Sequence, residues 1–176
     1  MAKKRRKPKM EFRYYQMSAG SPILALLGQK WVQNYGNDVD YLHFHNYLEI
    51  GYGGDGFMVL GEEEKRFYGG IVTVIPPNYP HTTNSDIGTV SKWEYLFIDV
   101  EGFMKKFLDN PVKAEKVIQR IYSRALFFEE KENLSISEKI RKIMDIMRDG
   151  EEFFLEEAKG VLAALLVEIA RLNRRG

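Results

Sequence analysis

Three histidines are all that this chain contains, at positions 43, 45 and 81, and a glutamate follows the second of them at position 49. His43 and His45 form a His-x-His pair. In an extended strand, positions 43, 45 and 49 share parity and project to one face. His81 follows the proline-rich turn Pro76-Pro77-Asn78-Tyr79-Pro80. Imidazole nitrogens and a carboxylate converging inside a barrel suit Zn²⁺, Fe²⁺, Mn²⁺ or Ni²⁺. The same four side chains can equally serve as polar lining that bonds a small molecule, since a histidine donating to a buried carboxylate needs no cation. Tyr41 shares parity with the histidine pair, and Trp93, Tyr95 and Phe97 share one face of a later strand. Aromatic faces of this kind stack on the C–H side of sugar rings or simply fill a core.

The elements that must position these groups divide the chain in two. From about residue 10 to residue 100, short runs rich in Tyr, Phe, Val and Ile alternate with Gly, Asn, Asp and Pro clusters, the punctuation of an all-β unit. Strands are expected at 11–17, 30–35, 41–52, 57–60, 65–68, 71–75 and 91–100, with a hairpin turn at 61–64. Several are apolar on both parities, as in a sandwich or barrel. After residue 100 the pattern turns helical, with helices expected at 101–108 and, behind Pro111, at 112–122. A third, capped by Ser135 or Ser137, carries Ile136, Ile140, Ile143 and Met147 and ends at Gly150. The last runs from about 151 to 173. Its residues Leu155, Ala158, Leu162, Leu165, Ile169 and Leu172 make a heptad seam, suited either to packing on the chain's own barrel or to pairing across a dimer.

Composition removes several classes of function. The chain lacks cysteine, so disulfides, thiolate metal sites and thiol nucleophiles are excluded. No apolar run approaches the roughly 20 residues of a membrane span, and no secretory signal is visible; a soluble, cytoplasmic protein is expected. The net charge of +1 hides six basic residues within the first nine, without which the remainder carries −5. That body is a poor non-specific binder of nucleic acid, while the tail, a basic and disordered arm over 1–10, is able to touch phosphate weakly.

Gly36, His43, His45, Glu49 and Gly56, followed by Gly70, Pro76, Asn78, His81 and Asn84, resemble the two motifs of the cupin superfamily. Asn78 stands where a glycine is usual, a mild departure because Asn tolerates the left-handed conformation. Asn84 comes one position early. The run from His43 to Tyr52, the Gly56 turn and Gly70-Ile-Val-Thr-Val-Ile-Pro-Pro, together with the order of parts, resemble the N-terminal regulatory domains of AraC-family transcription regulators. That resemblance implies a mainly β fold: a cupin double-stranded β-helix (jelly-roll barrel) over 11–100, followed by a helical dimerisation segment over 101–176. It implies a small effector, frequently a sugar, held in the barrel by His43, His45, Glu49, His81, Tyr41, Trp93 and Tyr95. It further implies a homodimer formed through the C-terminal helices and a helix-turn-helix DNA-binding domain that lies outside this chain. The competing reading is a free-standing metal-dependent cupin enzyme, a dioxygenase or isomerase, with His43, His45, Glu49 and His81 as metal ligands.

Overall fold

A computed structural model of the chain describes residues 9–28, 32–33, 41–54, 56–60, 62–67, 69–84 and 91–174. Strands β1 (Lys9–Arg13), β2 (Ile23–Leu26), β3 (Val32–Gln33), β4 (Tyr41–His45) and β5 (Leu48–Gly53) come first. They are followed by β6 (Gly56–Leu60), β7 (Glu63–Phe67), β8 (Ile71–Ile75), β9 (His81–Asn84) and β10 (Ser91–Ile98). Helices α1 (Val100–Phe107) and α2 (Pro111–Tyr122) lead to β11 (Leu126–Glu129), then α3 (Leu134–Asp149) and α4 (Phe154–Arg174) close the chain. Among the described residues no helix is long and apolar enough to cross a membrane.

The strands form a five-stranded sheet in the order β1-β4-β9-β6-β7 and a six-stranded sheet in the order β11-β8-β5-β10-β2, in which β3 is the sixth strand and pairs with β10 off that path. This is the jelly-roll barrel that the paired motifs imply. The expected single strand over 41–52 is in fact two, because the chain turns at Asn46 and Tyr47 and passes from one sheet to the other. β2, β9 and β11 escaped sequence reading: four-residue strands are too short to show a period. β11 arises within the helical half and pairs with β8, so the two halves share a sheet.

Alternation along the six-stranded sheet makes two cores. Leu48, Ile50, Val72, Val74, Leu96 and Ile98 point outward and pack beneath the helices. Ile71, Ile75, Trp93, Tyr95 and Phe97 point into the barrel. Both parities are apolar because both faces are covered.

The helices begin and end where local chemistry dictates. Asp99 accepts from Gly102 N at the start of α1, and Asn110 accepts from Lys113 N at the start of α2, where Pro111 loses no bond. Gly150 ends α3 with φ 61°, a conformation a residue without a Cβ adopts freely. The expected serine cap of α3 is replaced by Asn133; Ser137 lies inside the helix and donates to Glu130 O and Asn133 O.

The heptad seam of α4 faces its own molecule. Ala158, Leu162, Leu165 and Ile169 are fully buried in the core under the six-stranded sheet, so those residues are not available to a second chain. Leu162→Ala is therefore expected to cost about 2–5 kcal/mol of unfolding free energy, the range for a buried leucine. Urea denaturation reads that loss, while the sedimentation coefficient of the folded variant stays unchanged.

Candidate functional site

The turn between β4 and β5 brings the histidine pair and the glutamate together from two different sheets. His45 ends β4 and Glu49 is the second residue of β5. His43 pairs directly with His81, the first residue of β9, across neighbouring antiparallel strands. The proline-rich turn before β9 is tied to the same place. Asn78 takes φ 61°, as its glycine-like position requires, and its N–H donates to His45 O at 2.8 Å. Shared parity along one strand thus yields the right convergence for an incorrect reason. A corner between sheets does what a single strand was expected to do.

The four side chains offer ligand atoms that all lie within 4.8 Å of one another. His45, Glu49 and His81 are 0%, 4% and 1% exposed, and His43 is the more open member. Glu49 Oε2 lies 2.8 Å from His45 Nε2 and 3.4 Å from His81 Nε2, and the two Nε2 atoms are 3.2 Å apart. The far nitrogens have fixed partners. His45 Nδ1 donates to Tyr47 O at 3.0 Å, and His81 Nδ1 donates to Tyr79 O at 2.8 Å.

A carbonyl oxygen only accepts, so each Nδ1 must carry its hydrogen. In the neutral tautomer both Nε2 atoms then present lone pairs to each other and to a carboxylate. Three acceptors at such separations repel unless positive charge lies among them, supplied by protons or by a metal ion. Backbone carbonyls that lock the outer nitrogen and aim the inner lone pair are the usual support of histidine metal ligands. Burial by itself would raise the Glu49 carboxyl, but the charges and hydrogen bonds of His81 and His45 override it and hold Glu49 well below its ordinary range. Burial and the neighbouring His81 lower the His43 imidazole to about 3, which keeps it neutral with a free lone pair. The donor set fits a divalent cation of the Zn, Fe, Mn or Ni group.

The aromatic residues occupy successive rungs of β10. Phe97 pairs with Glu49 and meets the His45 ring edge-on at 5.2 Å. Tyr95 stacks with Phe97 at 6.4 Å and Trp93 with Tyr95 at 5.9 Å, leading away from the histidines. Trp93 and Tyr95 therefore share the inner face of the barrel with the cluster, and Phe97 is in ring contact with His45. The side chain of Tyr41 lies outside the described residues.

Sequence reading missed Tyr15. After β1, which pairs in parallel with β4, the arm turns Tyr15 into the barrel, where its ring stacks on Phe97 at 3.9 Å and 21°. The ring also stands edge-on to His45 at 6.0 Å. Asn46 holds this segment by accepting from Tyr15 N and donating to Tyr15 O, both at 3.0 Å. Burial, then the charge of Glu49, raises the phenol. The only sequence signal was an asparagine directly after the His-x-His pair, able to make two bonds to a passing backbone.

No family model and no curated protein sequence matches the chain. Among solved structures, apo ToxT K231A from Vibrio cholerae strain SCE256 superposes with a TM-score of 0.53 at 10% identity, covering 88% of this chain and 58% of that one. Unsaturated fatty acid bound wild-type ToxT from the same strain gives 0.42 at 12% identity, covering 89% and 58%. ToxT is an AraC-family regulator. The class that the superposition on apo ToxT supports is one of fold: a cupin-type jelly-roll barrel closed by C-terminal helices. The chain spans under three fifths of the length of the ToxT chains it resembles.

Proposed function

We propose that this chain is the effector-sensing domain of an AraC-type transcription regulator working in the cytoplasm, and that its barrel interior reads a small molecule at the His43–His45–Glu49–His81 centre. The observation that carries this reading is the position of Tyr15. A residue of the N-terminal arm covers a buried polar centre set against an aromatic wall. An effector that stacks on Phe97 and bonds His45 or Glu49 competes with Tyr15, so occupancy changes where the arm rests and hence its strand β1. A sugar, with apolar ring faces and hydroxyls, suits aromatic and histidine partners together. The sensing output would pass to a helix-turn-helix domain in a longer protein, and a homodimer would have to use faces of the helices other than the buried seam of α4.

The carbonyl-locked histidines favour a second reading, in which the centre holds a divalent metal and the protein is a cupin enzyme. His43, His45, Glu49 and His81 would be its ligands, and the metal would supply Lewis acidity. The test is a thermal-shift panel of sugars and fatty acids on the parent and on Tyr15→Ala, with elemental analysis of both. An effector that raises the parent's melting temperature, and acts at lower concentration on Tyr15→Ala, supports sensing. Stoichiometric iron or manganese with no stabilising ligand in the panel would sink it in favour of the enzyme.

A further inference from the structure

Strand β1 lies at the edge of the five-stranded sheet and, among the described residues, pairs with β4 alone. Its other side presents backbone N–H and C=O groups that have no strand partner among those residues, the arrangement that recruits a further strand. The side chains alternate. Phe12 pairs with Phe44 on the outer face, where the two rings meet at 5.2 Å, and Tyr14 follows at 6.5 Å from Phe12. Glu11 and Arg13 share register with His43 and His45 on the inner side. Met10, Phe12 and Tyr14 are 52%, 51% and 71% exposed, so three of the seven exposed large hydrophobic residues among the described ones fall within five positions. Such a concentration on an open strand edge marks an interaction surface.

Strand edges are commonly guarded by charge. Here the guard is self-complementary. A two-fold axis perpendicular to the sheet sets β1 antiparallel to its copy and keeps like faces together, so only residues of equal parity stand opposite. Centred on Glu11, two carboxylates face each other. Centred on Met10, Phe12 meets Pro8, which has no N–H to give the ladder. Centred on Phe12, each Glu11 stands opposite the partner's Arg13, Phe12 opposite Phe12, and Met10 opposite Tyr14, a sulfur–aromatic pair. Within one chain Glu11 Oε1 lies 3.4 Å from Arg13 Nε, and Arg13 also donates to the Tyr15 phenol oxygen. A guanidinium has five N–H donors, so neither bond has to break when a second carboxylate arrives. The contact then holds four charges of alternating sign.

We propose that β1 is a self-association surface: two copies of the chain pair through antiparallel β1 strands in the register centred on Phe12, joining their five-stranded sheets into one. A free edge alone would serve any extended peptide; charges matched about a single centre are what a second copy requires. The contact uses no residue of the helices, goes beyond the sensing reading and does not depend on it.

Sedimentation equilibrium of the whole chain over a range of concentrations at low ionic strength tests this. The parent is expected to self-associate. Glu11→Arg leaves only cations at the contact and Arg13→Glu only anions, so each should raise the dissociation constant at least roughly tenfold. An equimolar mixture of these two variants should associate again, each chain supplying the sign that the other lacks. Neither chain regains its own Glu11–Arg13 pair in that mixture, so a purely local role for the pair would give no recovery. Phe12→Lys should weaken association of the parent by a similar factor. The proposal is overturned by a parent that stays monomeric, by association that all three substitutions leave intact, or by a mixture that fails to recover. Should Arg13→Glu unsettle the arm through Tyr15, Phe12→Lys decides, since its ring lies on the outer face.

Discussion

Glu49→Ala, in protein stripped of metal by chelation, is expected to lose about 3–5 kcal/mol of unfolding free energy, the cost of breaking a buried ion pair by removing one partner. His45 and His81 are committed through Nδ1 to Tyr47 O and Tyr79 O, so neither ring can rotate to find another acceptor. Without the carboxylate, a proton held between the two Nε2 atoms is a buried positive charge with no counter-charge, and if both rings are neutral two lone pairs face each other at 3.2 Å. Glu49→Gln should recover part of the loss, because its amide can donate to one Nε2. Neither variant should retain a divalent metal during purification without chelator. Urea denaturation at pH 7 gives the stability series, and elemental analysis gives the metal content. If metal-free Glu49→Ala proves as stable as the parent, the requirement for positive charge within the centre is wrong.

Gly53→Ala is expected to have a comparable effect from a different cause. A Cβ at Gly53 would lie 2.1 Å from Trp93 Cδ2 and 2.3 Å from Cε3, inside the rigid ring system of a residue that is 2% exposed. The indole cannot bend, so it must leave its seat against β5 and give up much of its burial. Overpacking costs typically about 1–3 kcal/mol and loss of a buried large aromatic about 3–5 kcal/mol, which places this variant near 3 kcal/mol or above. Gly51→Ala should be milder. Its Cβ would meet Thr73 Oγ1 at 2.5 Å, a side-chain end that can rotate, and approach Trp93 no closer than 3.2 Å. Shortening the ring by Trp93→Phe in the Gly53→Ala background should restore part of the stability. Denaturation of the four proteins measures the coupling, and additive losses would refute the steric account.

Much of the fold was legible in the residues themselves. Three histidines and one glutamate at motif spacing, glycine and proline punctuation, and apolar residues on both parities of 71–75 and 93–98 are local signals, and they led to a covered barrel with closing helices. Helix limits set by Pro111 and Gly150 were equally local. The short strands β2, β9 and β11 were not legible, because four residues carry no period and they pair with strands about 70, 40 and 50 positions away in the sequence.

The centre divides in the same manner. The identities of His43, His45, Glu49 and His81 were determined by the sequence alone, since the chain offers no other histidine. Tertiary structure decided everything that gives those residues a chemistry. It places a corner at Asn46 and Tyr47 so that two sheets supply the ligands, and it provides the carbonyls that fix both tautomers. It also brings Tyr15 from the arm over Phe97, and it turns the α4 seam inward under the six-stranded sheet. A heptad records that a helix face is apolar and is silent about what covers it, because burial is equally favourable against one's own sheet or a partner's helix. Contacts between distant segments depend on where the backbone goes, and a spacing read along one strand cannot carry that information.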